Sequence, residues 1–435
     1  MKKILILYSH FPPSNLAGVH RARLFAQHLP AFFWEPIVLT VHEKYYEEEL
    51  DWKLVKLLPK GLRVVKVKAM PLTKPRLLGD IGLRAFFQMY KRAKELINEE
   101  QIDFLYIPIP SFYTALLGRL LHSSTQIRYG IDYIDPWVHD FPGSDRLFSR
   151  HWFSTQLAKL LEPIAVAKAV LITGVSESYY IDVLKRNPKL ASQIISGAMP
   201  YGAEPSDHKN LVPDLKKPRL FRENPAKVQL VYAGALLPKA YELLEALFKS
   251  ICRNENVFSG VEFHFIGTGK NSKSVEGFAL KQLAEKYGIW QSVIFEYPNR
   301  LSYLDVLIHL SMADAIFILG STESHYTPSK TFQAVLSGKM ILSVLHEQST
   351  AVNIIRQSRA GLVMDFNGLA GAKKIEENFP EFFTEFLKEL KHFDTEMVDK
   401  KYFEQYSAEN MTRQLAILLN KAMYKTSIDG SVIKS

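Results

Sequence analysis

The sequence predicts an α/β protein made of two doubly wound, Rossmann-like domains followed by a helical C-terminal segment. Three observations predict it. Short apolar runs alternate with helical periodicity along most of the chain, the pattern of parallel strands joined by helices. The alternation stops between about Glu204 and Ala226, where many charges and Pro205, Pro213, Pro218 and Pro225 leave no hydrophobic period. It then restarts, and at 435 residues the chain is too long for one ordinary core. The expected division is a domain over 1–204, a linker over 205–226, a second domain over 227–395 and a helical segment over 396–435 that crosses back to brace the first domain.

In the first half, Lys2–Ser9 (KKILILYS) reads as a buried strand and Val19–Leu29 as a helix with Val19, Ala22, Phe25, Ala26 and Leu29 along one stripe. Strands follow at Pro36–Thr40 and Leu62–Val67, and a helix with an aromatic and basic face at Ile81–Glu99. Asp103–Ile109 is a strand, Phe112–Leu121 a helix, and Gln126–Ile131 a strand that runs into the loop Asp132–His139, broken by Pro136. Helix Phe148–Lys168, strand Ala169–Thr173, a helix capped by Ser176 and strand Gln193–Ala198 close this half.

The second half opens with strand Val228–Ala233, the turn Gly234–Lys239 and helix Tyr241–Asn254. Strand Val261–Ile266, helix Val275–Tyr287, strand Val293–Glu296 and helix Tyr303–Met312 follow. Next come strand Ala315–Leu319, a polar turn, a short helix from Ser329, and strand Met340–Val344 after Gly338. Helix Ser349–Arg359 and strand Gly361–Met364 complete the alternation, and past Phe379 the pattern is helical and charged.

Composition narrows the class. A hydrophobic content of 47% argues against extensive disorder, and the single cysteine, Cys252, rules out a disulfide within the chain. The basic, apolar start leads into Pro12-Pro13 rather than a small-residue cleavage site, so it reads as a strand and not a signal peptide. No apolar run approaches the ~20 residues of a membrane-spanning helix, which leads to a cytoplasmic expectation. A formal charge of +9 suits an acidic partner. The lysines are dispersed rather than striped, which disfavours nucleic acid. Within Arg76–Arg92, the side chains Leu83, Phe86, Phe87 and Tyr90 with Arg84, Lys91 and Arg92 form a candidate face for an anionic membrane, against the alternative of an ordinary core-facing helix.

Candidate site residues lie on loops after strands, because ligands of open parallel sheets bind beyond the strands' carboxyl ends. The loop His10–Gly18 lacks a GxGxxG pattern, but Gly18 permits close backbone approach and Arg21 follows one turn into the helix. Asp132, Asp135 and His139 beside Trp137 combine two carboxylates, an imidazole and an aromatic face, a set that binds sugar hydroxyls and moves a proton. Gly234 and Lys239 mark one helix mouth, and Ser329 and Lys330 another. Backbone N–H groups, the helix dipole and two ammonium groups there suit a diphosphate. No DxD stands at a strand end and no His/Cys ligand spacing is present, so a metal is not required. Tyr297-Pro298-Asn299-Arg300 follows another strand and can hold a nucleobase.

The segments YSHFPPSNLAGVHRARLFAQHL, IDYIDPWVHD, ITGVSES, PYGAEP, VYAGALLPKAYELLEAL, PNRLSYLDVLIHLSMADAIFILG and YTPSKTFQAVLSGKMIL occur in that order. Together they resemble nucleotide-sugar glycosyltransferases of the GT-B fold, most closely the retaining family-4-type branch, over nearly the whole chain to about Leu419. The resemblance implies two Rossmann-like domains facing across a cleft. It also implies metal-independent transfer of a sugar from a UDP- or GDP-sugar to a glycan or lipid-linked acceptor, with no added cofactor. Ser329 and Lys330 would hold the diphosphate with help from Lys239, and the Gly18 loop would approach from the other domain. Family-4 enzymes usually carry two glutamates in this region; here the positions hold His325 and Gln333, with Glu323 two residues before His325. Two other readings fit the same resemblance: a nucleotide-sugar 2-epimerase, and a non-catalytic binding protein of the same fold.

Overall fold

The computed structural model describes residues 1–72, 79–138, 147–209, 211, 220–269, 277–324 and 326–424. The chain forms two compact units, one of Met1–Gly202 with the chain from Ala408 onward, the other of Ala203–Ser407.

The first unit holds a seven-stranded parallel sheet in the order β3-β2-β1-β4-β5-β6-β7. Its strands are β1 (Lys2–Leu7), β2 (Trp34–Val41), β3 (Arg63–Val67), β4 (Phe104–Ile109), β5 (Arg128–Tyr133), β6 (Leu171–Gly174) and β7 (Ile195–Ala198). The central strands read as near-continuous apolar runs because helices cover both faces. Ile4–Leu7 and Phe104–Ile109 are buried throughout. The helices include α1 (Ala17–His28), α2 (Phe86–Glu99), α3 (Ala115–Thr125) and α4 (Arg150–Val166).

The second unit holds a six-stranded parallel sheet in the order β10-β9-β8-β11-β12-β13. Its strands are β8 (Val228–Ala233), β9 (Val261–Ile266), β10 (Ile294–Tyr297), β11 (Ala315–Leu319), β12 (Met340–His346) and β13 (Gly361–Phe366). Helices α5 (Tyr241–Arg253), α6 (Tyr303–Met312), α7 (Lys330–Leu336), α8 (Thr350–Gln357) and α9 (Gly368–Leu390) connect and cover them. A second core forms here, with Phe258 against Phe383 at 4.8 Å between ring centroids. The final helix, α10 (Ala408–Tyr424), belongs to the first unit, where Lys2 Nζ donates to Asn420 Oδ1 at 3.2 Å.

In both sheets the strand order reverses beside the first strand, at β1/β4 and at β8/β11. Loops diverge at such a reversal and leave a crevice at the carboxyl ends. This feature of the fold positions the candidate site.

Several local expectations need correction. The helix expected over Ile81–Glu99 breaks at Ala85. Arg84 is buried there and donates to the carbonyls of Met70 (3.0 Å) and Tyr45 (3.1 Å). An inward guanidinium cannot face a membrane. Arg92 pairs with Glu95 and Glu99, while Phe86 and Tyr90 pack on the core, so the proposed basic and aromatic face largely dissolves, leaving Phe87 exposed. Arg76–Leu78 lie outside the described residues. Ser176 makes no capping hydrogen bond, and a single tight turn follows it before the helix resumes at Ile181. Of the stretch read as a linker, the described residues at both ends join the second unit: Pro205–Lys209 is helical, Asp207 accepts from Tyr303 Oη at 2.9 Å, and Phe221 stacks on His264 at 3.8 Å.

Among the described residues no helix is long and apolar enough to cross a membrane.

Candidate functional site

At the end of β8 the backbone turns on Gly234, whose φ of +122° favours glycine, while its N–H remains bonded to the Ile266 carbonyl at 2.8 Å. The neighbouring strand, β11, ends at Leu319, and a loop leads from Gly320 to Ser329 at the mouth of α7. Ser329 makes no side-chain cap, so its hydroxyl is not committed to the helix.

Lys330, the first residue of α7, folds back toward the sheet. Its ammonium lies 3.6 Å from the centroid of the Tyr232 ring, and a Cβ added to Gly234 would approach Nζ to 3.4 Å. The residue as a whole is partly exposed, yet Nζ is buried and has no hydrogen-bond partner among the described residues. Burial lowers its pKa from the usual lysine value to about 7. The aromatic face offers some cation–π attraction but accepts no hydrogen bond in the manner of a carboxylate. Buried polar groups are nearly always paired, and an unpaired buried cation is costly. Thr331 Oγ1 and Ser349 Oγ are also buried without a partner, on the first turn of α7 and just beyond β12. Thr327 Oγ1 bonds Thr350 Oγ1 at 2.8 Å and ties the β11 loop to the start of α8. The carboxyl ends of β8, β11 and β12 thus carry a buried, unpaired lysine amine and unused hydroxyls, groups that suit an anion.

The other expected residues of this unit take different places. Lys239 is partly exposed and pairs with Glu323 at 3.4 Å, and its carbonyl accepts from Thr322 N at 3.3 Å. Two expected ligand residues therefore neutralise each other. Gln333 accepts through Oε1 from His208 Nε2 at 2.8 Å, and burial lowers the His208 pKa. Arg300 is partly exposed after β10, where its Cα stands 3.8 Å from the position of a Cβ on Gly267. His325 lies outside the described residues.

In the first unit the sequence-predicted residues serve the interior more than a loop surface. A Cβ on Gly18 would meet Tyr8 Oη at 2.3 Å, so glycine here admits a buried phenol. Arg21 is fully buried: Nε and Nη2 donate to the two oxygens of Asp132 at 2.7 and 2.9 Å, and Nη1 to the carbonyls of Met199 and Pro200. Asp132 also accepts from Thr173 Oγ1 at 2.7 Å. This network joins α1, β5, β6 and the chain after β7. Asp135, beyond β5, is exposed, while Trp137 is buried and stacks on Phe112 at 5.9 Å. His139 lies outside the described residues.

The sequence reading missed a titratable cluster in this unit. His10 follows β1, with Glu48 Oε1 at 3.7 Å from Nε2 and the Tyr46 ring at 5.1 Å. Burial lowers the His10 pKa, and Glu48 and Asp80 oppose the shift. Burial raises the Asp80 pKa against hydrogen bonds from Leu83 N and Ser111 Oγ. The available signal was a histidine directly after a central strand; its carboxylate neighbours are distant in sequence and carried none.

No protein-family model matches the sequence, and no curated protein matches it. Solved structures do match in fold. A glycosyltransferase from Rickettsia africae superposes with a TM-score of 0.63 at 14% identity, covering 98% of this chain and 100% of that one. This chain has the GT-B fold. Anabaena HepE, solved with UDP and glucose, gives a TM-score of 0.62 at 14% identity, covering 97% of this chain and 100% of that chain. A putative UDP-N-acetylglucosamine 2-epimerase from Listeria monocytogenes gives 0.51 at 11% identity, with 100% of both chains covered. In this GT-B chain, Lys330 and Gly234 stand at the β8/β11 reversal of the second Rossmann-like sheet.

Proposed function

We propose that this GT-B protein is a glycosyltransferase that takes a nucleotide-diphosphate sugar as donor, with the diphosphate on Lys330. The observation that carries the reading is the buried, unpaired ammonium at the strand reversal. In the reaction, the sugar–phosphate bond breaks and charge develops on the departing nucleoside diphosphate. A fixed cation held away from water stabilises that charge more than a solvated one and needs no reorganisation. Ser329 and the first N–H groups of α7 are assigned to the same phosphates, and Gln333 to a ribose hydroxyl through its amide. Arg300 is assigned to the nucleobase, and Asp135 with His139 to acceptor hydroxyls. The finer reading is metal-independent, retaining transfer of the family-4 type onto a glycan or lipid-linked acceptor in glycoconjugate synthesis. Known structures of this fold solved with UDP support a UDP-type donor.

Calorimetric titration with UDP, GDP and their sugars tests the donor assignment. Wild type is expected to bind one nucleotide series, and Lys330→Ala to weaken that binding by roughly a hundredfold, the loss expected for a buried charge-assisted contact. Binding of no nucleotide by the wild-type chain sinks the proposal. Transfer is expected to persist in excess chelator, and its abolition would overturn metal independence. The epimerase likenesses make a second reading concrete. Product analysis without acceptor separates the two: an epimerised nucleotide sugar favours that reading, and transfer that requires an acceptor favours the first.

A further inference from the structure

Helix α4 is inverted relative to an ordinary surface helix. Phe153, Leu157, Leu160 and Ile164 recur at the spacing of one helical face, and that face is solvent-exposed. Leu147 and Phe148 extend it at the N-terminal end, so six large apolar side chains are each 41–75% exposed. Phe148 lies 5.6 Å from Trp152 and 6.3 Å from Phe153 between ring centroids, which makes the end an aromatic cluster. The inner face instead carries Ala158, Ala165, Val166 and the carboxylate of Glu162, with Arg186 Nη2 2.6 Å from Oε2. Such a stripe does not arise from burying a core. Large contiguous apolar patches mark partner surfaces.

The charges beside the stripe indicate the partner. Lys159 on α4 and Lys168 just after it are exposed, and the neighbouring α3 adds Leu120 and Arg119. The single carboxylate of α4, Glu162, is buried and neutralised, so the exposed charges of this helix are basic. Among the described residues α4 offers no exposed carboxylate, so two copies of this face would bring like charges together. An anionic lipid surface complements both features: acyl chains accept the Phe and Leu side chains, the aromatic cluster suits the headgroup boundary, and lysines attract phosphate. We propose that the protein docks on anionic membranes through α4 lying flat in the interface. This moves the contact away from the Arg76–Arg92 segment that the sequence suggested. It does not depend on the donor assignment.

Co-sedimentation of the full chain with vesicles of phosphatidylcholine, alone or mixed with phosphatidylglycerol, tests the proposal. Wild type is expected to pellet with the mixed vesicles and to remain largely soluble with the neutral ones. Leu157→Gln/Leu160→Gln and Lys159→Glu are each expected to reduce the partition coefficient by roughly tenfold or more. Phe87→Ser, on α2, is expected to leave it unchanged. The altered side chains are exposed, so circular dichroism and melting temperature should match wild type, which separates lost docking from lost folding. The proposal is overturned if wild type stays soluble with both vesicles, pellets equally with both, or loses as much binding through Phe87→Ser. It is also overturned if light scattering shows a dimer that Leu157→Gln/Leu160→Gln converts to monomer, since a second copy would then cover the face.

Discussion

At Lys330 the cost of the unliganded state and the affinity for an anion have one origin. Burial holds the ammonium pKa at about 7, well below its unfolded value. Between pH 7 and about 10.5 the unfolded chain therefore binds more protons, and stability rises with pH through that window on account of this group. Below pH 7 both states are protonated and the penalty is complete, at about 5 kcal/mol by the linkage relation. Replacing the ammonium with an apolar chain of similar length removes that penalty. Lys330→Met is expected to raise the melting temperature at neutral pH while weakening nucleotide binding by roughly a hundredfold, as Lys330→Ala does. A bound diphosphate restores the charged form, so wild type at pH 8–9 should take up close to one proton per nucleotide. Titrations in buffers of different ionisation enthalpy measure that uptake, and no buffer dependence would refute the pairing. Arg21 is the contrasting case, a buried cation whose donors are satisfied by Asp132 and two carbonyls, which leaves it no comparable demand for a ligand.

At the scale of elements, hydrophobic period made the sheets legible. Val228–Ala233, Val261–Ile266, Tyr303–Met312 and Ala315–Leu319 have the same limits in sequence and structure, because parallel strands and their covering helices leave long uninterrupted patterns. Charge misled where tertiary contacts reversed its meaning: Arg84 is buried, with the Tyr45 carbonyl among its partners. At the candidate site, strand-end reasoning pointed to Lys330 and Ser329, but the Lys239–Glu323 pair and the His10 cluster depend on loops that meet only in three dimensions. Residues 220–226 show the same limit, since charges and prolines concealed a strap that packs by aromatic and amide contacts. Phe221 stacks on His264, and Gln229 Nε2 bonds the Arg222 carbonyl at 2.9 Å. Burial lowers the His264 pKa to about 4, partly opposed by Glu262. The unfolded chain gains a proton near pH 6.5 while the native ring resists until about 4. Stability is therefore lost as pH falls through this window, by about 3 kcal/mol over its full width. Urea midpoints from pH 6.5 to 5, above most carboxylate titrations, should fall more steeply for wild type than for His264→Phe, which retains the stack. Equal slopes would show that the ring does not govern the strap.

At the scale of the molecule, the two units depend on the chain differently. The second unit is continuous, Ala203–Ser407, whereas the first is assembled from the beginning of the sequence and its last helix. Met411, Leu415, Ala416, Leu419 and Ala422 of α10 are buried. Leu418 lies 2.6 Å from where a Gly197 Cβ would stand, Arg413 covers Phe32, and Arg128 donates to the Met423 carbonyl. Burying a large aliphatic side chain contributes roughly 1.5–3 kcal/mol, so the apolar face of α10 amounts to much of a domain's net stability of about 5–15 kcal/mol. A chain ending at Ser407 is expected to lose the first unit's cooperative unfolding and become protease-sensitive within residues 1–202. Its second unit keeps its core, and Lys330 with it, so nucleotide binding should survive. Leu415→Ala, which leaves a cavity rather than removing the helix, should cost about 2–5 kcal/mol in the first unit and leave nucleotide affinity unchanged. A truncated chain whose first 202 residues stay protease-resistant would show that the first core closes without α10. Loss of nucleotide binding while the second unit remains folded would show that the anion site needs more than the β8/β11 reversal and Lys330.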